Sequence, residues 1–488
     1  MVSQNAIADD GGDNSSYYPS INDDGSRIAY ATYASNFVSG VSDDSNDPDV
    51  YMRDLTSQST ALVSHAAGAP LTAGDGDSSQ PKISRDGARV TYYSRASDLQ
   101  SGASDANSTY DLVSYLVSAG TNQYVSLETT AASTGNGDSS RTEHSLSADG
   151  RYEVFSSEAS DLVPGDTNGY SDVFIRDLQT GAVTLVSQGQ GGLAADWYSS
   201  DAVISSNGNF VAFVSAASNL EVTSGPNPSN FTQNVFLWER ATGALRLVSV
   251  NAAGDDGGNN SSYEPSISGD GSLVAFSTYA SNLQANVTDD NGNLDIYLFR
   301  ASTGAAVLVS RSTSSSPASI IAGNNVSTNP RLSRDGSRVV YLSYAGDLQA
   351  GVQDINSQYD LVSYLVDTGD NQYVSVQVDA PGSASQASTR TDHSLSADGN
   401  YEVFTSRAND LVLNDTNNMS DVFLRNLQTG EITLVSRTVG GAAATYHSNQ
   451  AVISADGNFG LCQCGDQPGC DGISAIRKEI GTSIAGNG

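Results

Sequence analysis

The stretch EHSLSADGRYEVFSSEASDLVPGDTNGYSDVFIRDLQTGAVTLVS, residues 143–187, decides the architecture. Glu143 to Ser147 is a short alternating run that meets Asp149-Gly150, a tight-turn signal. RYEVFSS (151–157) alternates polar and apolar residues, as a half-buried strand does. The polar loop LVPGDTNGYS (162–171) leads into a third strand, DVFIRDL (172–178). Thr180-Gly181 makes a second tight turn, and AVTLVS (182–187) is the fourth strand before a Gly/Ser/Asn-rich linker. The unit is four short antiparallel strands with no helical stretch.

This unit recurs almost from end to end. Its turn glycine appears at Gly25, Gly87, Gly150, Gly208, Gly271, Gly336, Gly399 and Gly457, spaced by 58 to 65 residues. Units four apart are the most alike. DGGDNSSYYPSINDDGS (10–26) matches DGGNNSSYEPSISGDGS (256–272), and HSLSADG occurs at both 144–150 and 393–399. Such units bury their apolar faces only against neighbours. Four strands per unit, repeated seven or eight times, predict an all-β propeller of four-stranded antiparallel blades. The blade units run over about 13–75, 76–137, 138–196, 197–258, 259–324, 325–386 and 387–445, with a partial eighth at 446–459. A four-plus-four duplication favours an eight-bladed ring, with a seven-bladed ring as the alternative.

Parity assigns the faces. In a four-stranded meander the first and third turns lie at one end of the blade; the second loop and the linker lie at the other. The first and third turns here are short (Asp-Gly, Thr-Gly), while the second loop and linker are long and polar. One rim is trimmed, the other elaborated, and binding sites belong on the elaborated one.

The units resemble the TolB-type propeller repeat, a relative of the tryptophan-aspartate repeat. The likeness rests on PSISGDGSLVAFST (265–278), SDVFIRDLQTG (171–181) and SDVFLRNLQTG (420–430), and covers residues 13–459. It implies a bacterial periplasmic or secreted setting. It does not select a function, because the scaffold hosts lyases, peptidase gating domains and plain binding modules.

The two ends are unusual. MVSQNA (1–6) aligns with LVSVNA (247–252), so the sequence begins inside a repeat: that strand could complete the last blade of a closed ring, and a reading frame begun mid-domain would look the same. No signal peptide is visible and no apolar run approaches a membrane span. The eighth unit reads normally to Phe459 and then becomes GLCQCGDQPGCD, where unit four has VAFVSAASNLEVT (211–223). Codons for VAFVSAAINLDVT, read two bases later, yield GLCQCGDQPGCD. Residues 460–488 are therefore read as a frameshifted tail. All three cysteines, Cys462, Cys464 and Cys470, fall in it, which sets a frameshift against a zinc or redox reading of the CxC.

The 22 basic and 55 acidic residues give a net charge of −33. Only Lys82 and Lys478 are lysines, and 45 of the acids are Asp, a residue of turns and oxygen-ligand sites. So negative a surface argues against nucleic acid and against anionic lipid as partners. It fits a secreted or periplasmic protein in salty or calcium-bearing water, and equally fits mere solubility.

Two constellations could carry chemistry. The second loop repeats an Asp, an Asn two residues on, and an Asp four after that. The sets are Asp105/Asn107/Asp111, Asp166/Asn168/Asp172, Asp289/Asn291/Asp295, Asp354/Asn356/Asp360 and Asp415/Asn417/Asp421. Asp43/Ser45/Asp49 is a weaker version, and unit four has only Asn230 and Asn234. Carboxylates, an amide carbonyl and backbone carbonyls together could hold a structural Ca²⁺; the alternative is an Asx-turn that pins the loop without metal.

The second constellation is Arg141 with His144, repeated as Arg390 with His393, in RTEH and RTDH. Strand one is innermost, so these residues are expected near the channel mouth on the elaborated face. Tyr17, Tyr18, Tyr198, Tyr263 and Tyr446 fall in neighbouring linkers, where they could stack on sugar rings. A polysaccharide lyase acting on uronates would use a His or Tyr base and an Arg to neutralise the carboxylate. The alternative is that His caps the strand and Arg pairs with a local Asp. No G-x-S-x-G, H-E-x-x-H, P-loop or G-x-G-x-x-G is present. The leading reading is a non-catalytic extracellular or periplasmic binding or scaffold module. It would be part of a larger polypeptide or complex, with a glycan or protein ligand on the long-loop face; the uronate lyase is the alternative.

Overall fold

The computed structural model describes residues 2–3, 12–43, 47–105, 107, 109–129, 132–229, 232–316, 318–354, 356–378, 382–391, 393–413, 415–437, 443–464 and 473–477. The repeats fold into seven four-stranded antiparallel blades, one of which gains a short parallel strand, and an eighth sheet of three strands. Blade two is representative: Ser78–Ile83, Arg89–Ser94, Asp111–Leu116 and Thr121–Tyr124 pair in sequence order. The eighth sheet joins Ser448–Ile453, Phe459–Cys464 and Ile473–Arg477.

Each blade opens at an Asp-Gly or Asn-Gly turn, where the turn glycines have φ between 64° and 79°, a region costly for other residues. The preceding serine donates its hydroxyl to the turn Asp, as Ser147 does to Asp149 at 2.7 Å. The turns then link around the ring through their main chains. Asp23 N–H donates to Arg85 O, Asp86 to Ala148 O, Ala148 to Ser206 O and Asn207 to Gly269 O. Gly269 donates to Arg334 O, Asp335 to Ala397 O, Ala397 to Ala455 O, and Ala455 back to Asp23 O. The circle is closed, and it lies on the trimmed rim.

The elaborated rim is equally consistent with the parity argument. Second loops pair with the linkers that follow them, as in the parallel bridges Ser42 to Thr72, Ser104 to Ser133 and Gln353 to Gly382. Between blades the core is apolar, and in blades one, three, four, five and seven a strand-two and a strand-three aromatic stack within the sheet. Phe155 and Phe174 stand 5.6 Å apart, Phe213 and Phe236 5.7 Å, and Phe404 and Phe423 5.6 Å. Burying each such ring contributes about 2 to 3 kcal/mol.

A serine staple recurs at the start of strand three. The serine of the closing Leu-Val-Ser, or Tyr-Val-Ser in blades two and six, accepts the N–H of the second residue of that strand and donates to the side chain of the first. Ser126 accepts from Leu112 N–H and donates to Asp111 at 2.6 Å; in blade four Ser249 donates to Asn234 at 2.8 Å. In the eighth sheet the serine is Ser3, which accepts from Ile473 N–H, while Val2 N–H donates to Ile473 O. The N-terminal Val-Ser thus completes the last sheet. The stretch read as frameshifted supplies that sheet's second and third strands, with Leu461 and Cys462 buried. Cys462 is a free thiol whose pKa burial pushes up to about 12, so it is not a reactive thiolate. Cys470 lies outside the described residues.

Strand one departs from the expected pattern in blades three and seven. In the six other sheets it carries a bulge with one residue in the left-handed region, for example Gln80 at φ 49° or Glu264 at φ 53°. In blades three and seven only Ser139–Ser140 and Ser388–Thr389 pair regularly. The expected strand 143–147 is reduced to a single bridge, Leu146 to Glu153. The reason is length. Ser78 lies nine residues before its turn glycine, whereas Ser139 lies eleven before Gly150 and Ser388 eleven before Gly399. The two extra residues leave the sheet and enter the channel.

Candidate functional site

The channel is lined at one level by Ile21, Ile83, Ile204, Ile267, Leu332 and Ile453, one from each bulged strand one. The inserted segments of blades three and seven cross this wall. His144 and His393 approach from opposite blades until their ring centroids are 5.5 Å apart. Glu143 pairs with Lys82 of blade two and lies 3.9 Å from His393 Nε2. Nearer the trimmed rim Arg334 of blade six reaches across to hold both oxygens of Asp23 at 2.6 Å, with Arg85 3.7 Å from the same carboxylate. The space between these closures amounts to about 50 Å³, enough for ordered water but not for a pyranose.

Arg141 and Arg390 do not join the histidines. The Arg141 side chain is 2% exposed and lies against Glu153, which is wholly buried, at 3.7 Å. It donates to Gln80 O at 2.6 Å, and its guanidinium packs over Tyr93. Arg390 repeats the arrangement beside Glu402, donating to Asn329 O and Val340 O. Burial lifts both glutamates to about 7, and the adjacent guanidinium partly offsets it. The expectation that these arginines face a uronate at the channel mouth is corrected: the extra residues of strand one place them inside the blade, as partners of a buried acid. The signal was in the sequence. Glu153 and Glu402 occupy a strand-two position where the sister units carry Ile28, Val90, Val211, Val274 and Val339.

The five acidic loops bring their residues together in a common form. The last Asp of each set opens strand three and accepts the serine staple: Ser126 to Asp111, Ser187 to Asp172, Ser310 to Asp295 and Ser436 to Asp421 at 2.6 Å, Ser375 to Asp360 at 2.8 Å. All five are buried. The first Asp accepts the Asn N–H in Asp105, Asp289, Asp354 and Asp415. Desolvation raises the carboxyl of Asp111 to about 7, Asp172 to about 6, Asp295 to about 8 and Asp360 to about 7. In the weaker sixth set Asp49 behaves likewise, while Ser45, and Asn230 of unit four, lie outside the described residues.

The middle Asn is where the loops depart from the expected ligand set. Its carbonyl accepts the N–H two residues on, closing an Asx-turn: Asn107 from Thr109 at 2.9 Å, Asn168 from Tyr170 at 2.7 Å, Asn291 from Asn293 at 2.6 Å, Asn356 from Gln358 at 2.5 Å and Asn417 from Met419 at 2.7 Å. Its amide donates across to the linker, Asn107 to Gly135 O and Asn291 to Gly323 O at 2.5 Å, Asn168 to Ala195 O at 2.6 Å, Asn356 to Ala384 O and Asn417 to Ala444 O. The amide also donates to the strand-three Asp in Asn168–Asp172 and Asn417–Asp421, both 2.8 Å. Asn107, Asn168, Asn291, Asn356 and Asn417 thus each form the Asx-turn given above as the alternative to a cation site, with one main-chain donor on the side-chain carbonyl. The physical reason is local: a carbonyl two residues before a free main-chain N–H meets that donor first.

The linker aromatics form clusters rather than single platforms. Tyr17 contacts Tyr18 and Tyr33 at 5.1 and 5.6 Å, and Tyr263 contacts Tyr279 at 6.3 Å. The most open cluster is Tyr170, Trp197 and Tyr198, at 38%, 44% and 37% exposure, with centroid spacings of 4.8 and 6.0 Å. Trp197 lies one residue outside the tyrosine positions singled out by the repeat, and Tyr170 comes from the second loop, so periodicity alone did not join them. Tyr446 is exposed.

No protein-family profile and no curated protein matches this sequence. Among solved structures the chain is similar to dipeptidyl peptidase 4 of Porphyromonas gingivalis, at 12% identity and a TM-score of 0.52, over 96% of this chain and 59% of that one. It also aligns with TolB from Acinetobacter baumannii at 15% identity, TM-score 0.30, over 60% of this chain and 53% of that one. An oligogalacturonate lyase from Vibrio parahaemolyticus aligns at 13% identity, TM-score 0.41, over 81% and 87%. The chain thus spans little more than half the length of the TolB and peptidase structures. The first of these likenesses supports the propeller fold and nothing finer.

Proposed function

We propose that the protein is a non-catalytic binding or scaffold propeller, secreted or periplasmic, that engages a glycan or protein on its long-loop rim as part of a larger polypeptide or complex. The observation that carries this reading is the contrast between the two places a ligand could go. The channel is spanned by the protein's own His144–His393 and Asp23–Arg334 contacts, with the arginines of the lyase reading buried against glutamates. The long-loop rim instead exposes Tyr170, Trp197 and Tyr198 as one aromatic surface. Flat exposed aromatics beside polar loops suit stacking on sugar faces, and exposed apolar clusters of this kind mark interaction sites. The net charge of −33 disfavours polyanions, so a neutral glycan fits the rim better than a uronate. Cations are proposed to stiffen the loops that build this rim.

The test is binding of the full chain to neutral and uronate polysaccharides, with release of unsaturated product followed by absorbance. Expected is binding without product, weakened at least tenfold by Trp197→Ala with an unchanged Tm. Product formation that His144→Ala abolishes would overturn the proposal in favour of a lyase.

A further inference from the structure

We infer that the second loops of blades two, three, five and seven each hold one hard divalent cation of the calcium class, bound by the two aspartates that flank the Asx-turn. The inference deepens the loop stiffening invoked above and does not depend on which ligand the rim takes.

The argument starts from buried oxygens that no donor satisfies. Asp111 Oδ2 in blade two and Asp295 Oδ2 in blade five are sealed from solvent and lack a well-formed hydrogen bond, although the Oδ1 of each is taken by the serine staple. In blades three and seven the strand-three Asp is satisfied by the Asn amide, and the open oxygens shift to the other member. Both oxygens of Asp166, 3% exposed, and Oδ2 of Asp415, 4% exposed, lack a well-formed hydrogen bond. An isolated carboxylate oxygen in such a place is unfavourable unless it is protonated or meets a cation. Four loops carry the same unmet demand at the same point of the blade.

Two other loops act as internal controls. Blade four replaces the strand-three acid with Asn234, so no carboxylate is left to neutralise. Blade six keeps both acids but has no oxygen that is both sealed and unmet: Asp354 Oδ1 accepts Asn356 N–H, Ser357 N–H and the Ser383 hydroxyl, while Asp360 accepts Ser375 on one oxygen and the Asn356 amide on the other. The open oxygens therefore do not follow from the loop shape alone.

The chemistry of the donors selects the ion. No cluster of three His, Cys, Asp or Glu that could hold a metal occurs among the described residues, so each loop offers two carboxylates and otherwise neutral oxygens. The Thr134 hydroxyl reaches Asp105 at 3.2 Å and brings one such oxygen from the linker. Carboxylates with hydroxyl, carbonyl and water oxygens suit a hard cation of adaptable geometry. The Asn side chain is a positioning residue here, since in Asn168 and Asn291 alike its carbonyl is spent on the Asx-turn.

The experiment uses Tb³⁺ as probe on the full, chelator-treated chain, exciting tyrosine. Tyr124 interacts electrostatically with the blade-two acids and Tyr297 with those of blade five, so both are placed to sensitise bound Tb³⁺. Expected is Ca²⁺-displaceable luminescence saturating near four ions per chain, falling by one in Asp295→Asn and unchanged in Asp360→Asn. Asp295→Asn keeps the staple, as Asn234 already does in blade four. Absence of displaceable luminescence, or an unchanged stoichiometry in Asp295→Asn, would overturn the inference. Loss of an ion in Asp360→Asn would overturn the selection among loops. Sugar binding failing while Tb³⁺ titrates as expected would fault the proposed ligand and leave the cation sites standing.

Discussion

Blades three and seven differ from the other blades by two residues in strand one and one residue in strand two, and the two changes belong together. A bulged strand one buries an aliphatic side chain against Ile28 or Val90 in strand two. An elongated strand one instead folds Arg141 back into the blade, where Glu153 replaces the valine and receives it. The insertion also throws His144 across the channel to His393. The comparison teaches that a propeller can close its own pore by lengthening a strand in opposite blades, provided the charge it buries is answered inside the same blade.

The largest expected effect comes from breaking that answer. Glu153→Ala strands the Arg141 guanidinium in the core and should cost about 3 to 5 kcal/mol in chemical denaturation. The double change Arg141→Met with Glu153→Val restores the chemistry of the sister blades and should cost far less. If the double variant falls as far as the single one, the buried pair is not the reason strand two departs from valine.

The next effect is on pH. Glu153 and Glu402 are raised to about 7 in the fold by burial, above the ordinary 4.5. The folded state therefore binds more protons than the unfolded state between those values, so their contribution is full below about 4.5 and is lost as pH climbs through 7. Asp111, Asp295 and Asp360 add the same sign over the same interval. With chelator present, the denaturation midpoint should fall from pH 5 to pH 8, and Glu153→Gln should flatten part of the slope. A midpoint that rises over this interval would contradict the burial of these acids.

Smaller changes sharpen the picture at the channel. His144→Ala removes one ring of the cross-channel pair and should cost about 1 kcal/mol, read as a lowered Tm with circular dichroism unchanged. Arg334→Ala, at the partly exposed Asp23 contact, should cost less than about 1 kcal/mol and lose even that in high salt. A larger loss in Arg334→Ala than in His144→Ala would reverse the order of the two closures.

Much of this was legible beforehand because it is periodic. The turn glycines, the closing Val-Ser serine and the alternating strands repeat, so the four-stranded blade and the rim asymmetry follow from alignment of the units, whereas the size of the ring, eight blades or seven, stays open there. The five acidic loops were legible as a spacing, but the division among them was not. Which Asp oxygen is left open follows the Asn amide: Asn168 and Asn417 turn it to the strand-three Asp as well as to the linker, whereas Asn107 and Asn291 donate to Gly135 O and Gly323 O, carbonyls 28 and 32 residues away. The fate of Arg141 is not legible for a related reason: the partner that turns the arginine inward, Glu153, sits on the next strand as one acid within an otherwise ordinary alternating run.

The hoop of turn amides on the trimmed rim has one more implication. Its contacts run through main-chain N–H and C=O, so it keeps the leaves in step whatever side chains they carry, as Asp23, Ala148, Gly269 and Arg334 already demonstrate at equivalent places. The opposite edge is tied from blade to blade as well, by Ala67 N–H to Asp98 O, Thr129 to Leu162 O, Gln190 to Asn219 O, Ala252 to Asn282 O, Thr313 to Asp347 O and Val378 to Asp410 O, so there too the joints are peptide groups and the side chains beyond them are free to differ. Aromatic, acidic and neutral loops can therefore sit side by side there, and each is open to revision without renegotiating its neighbours.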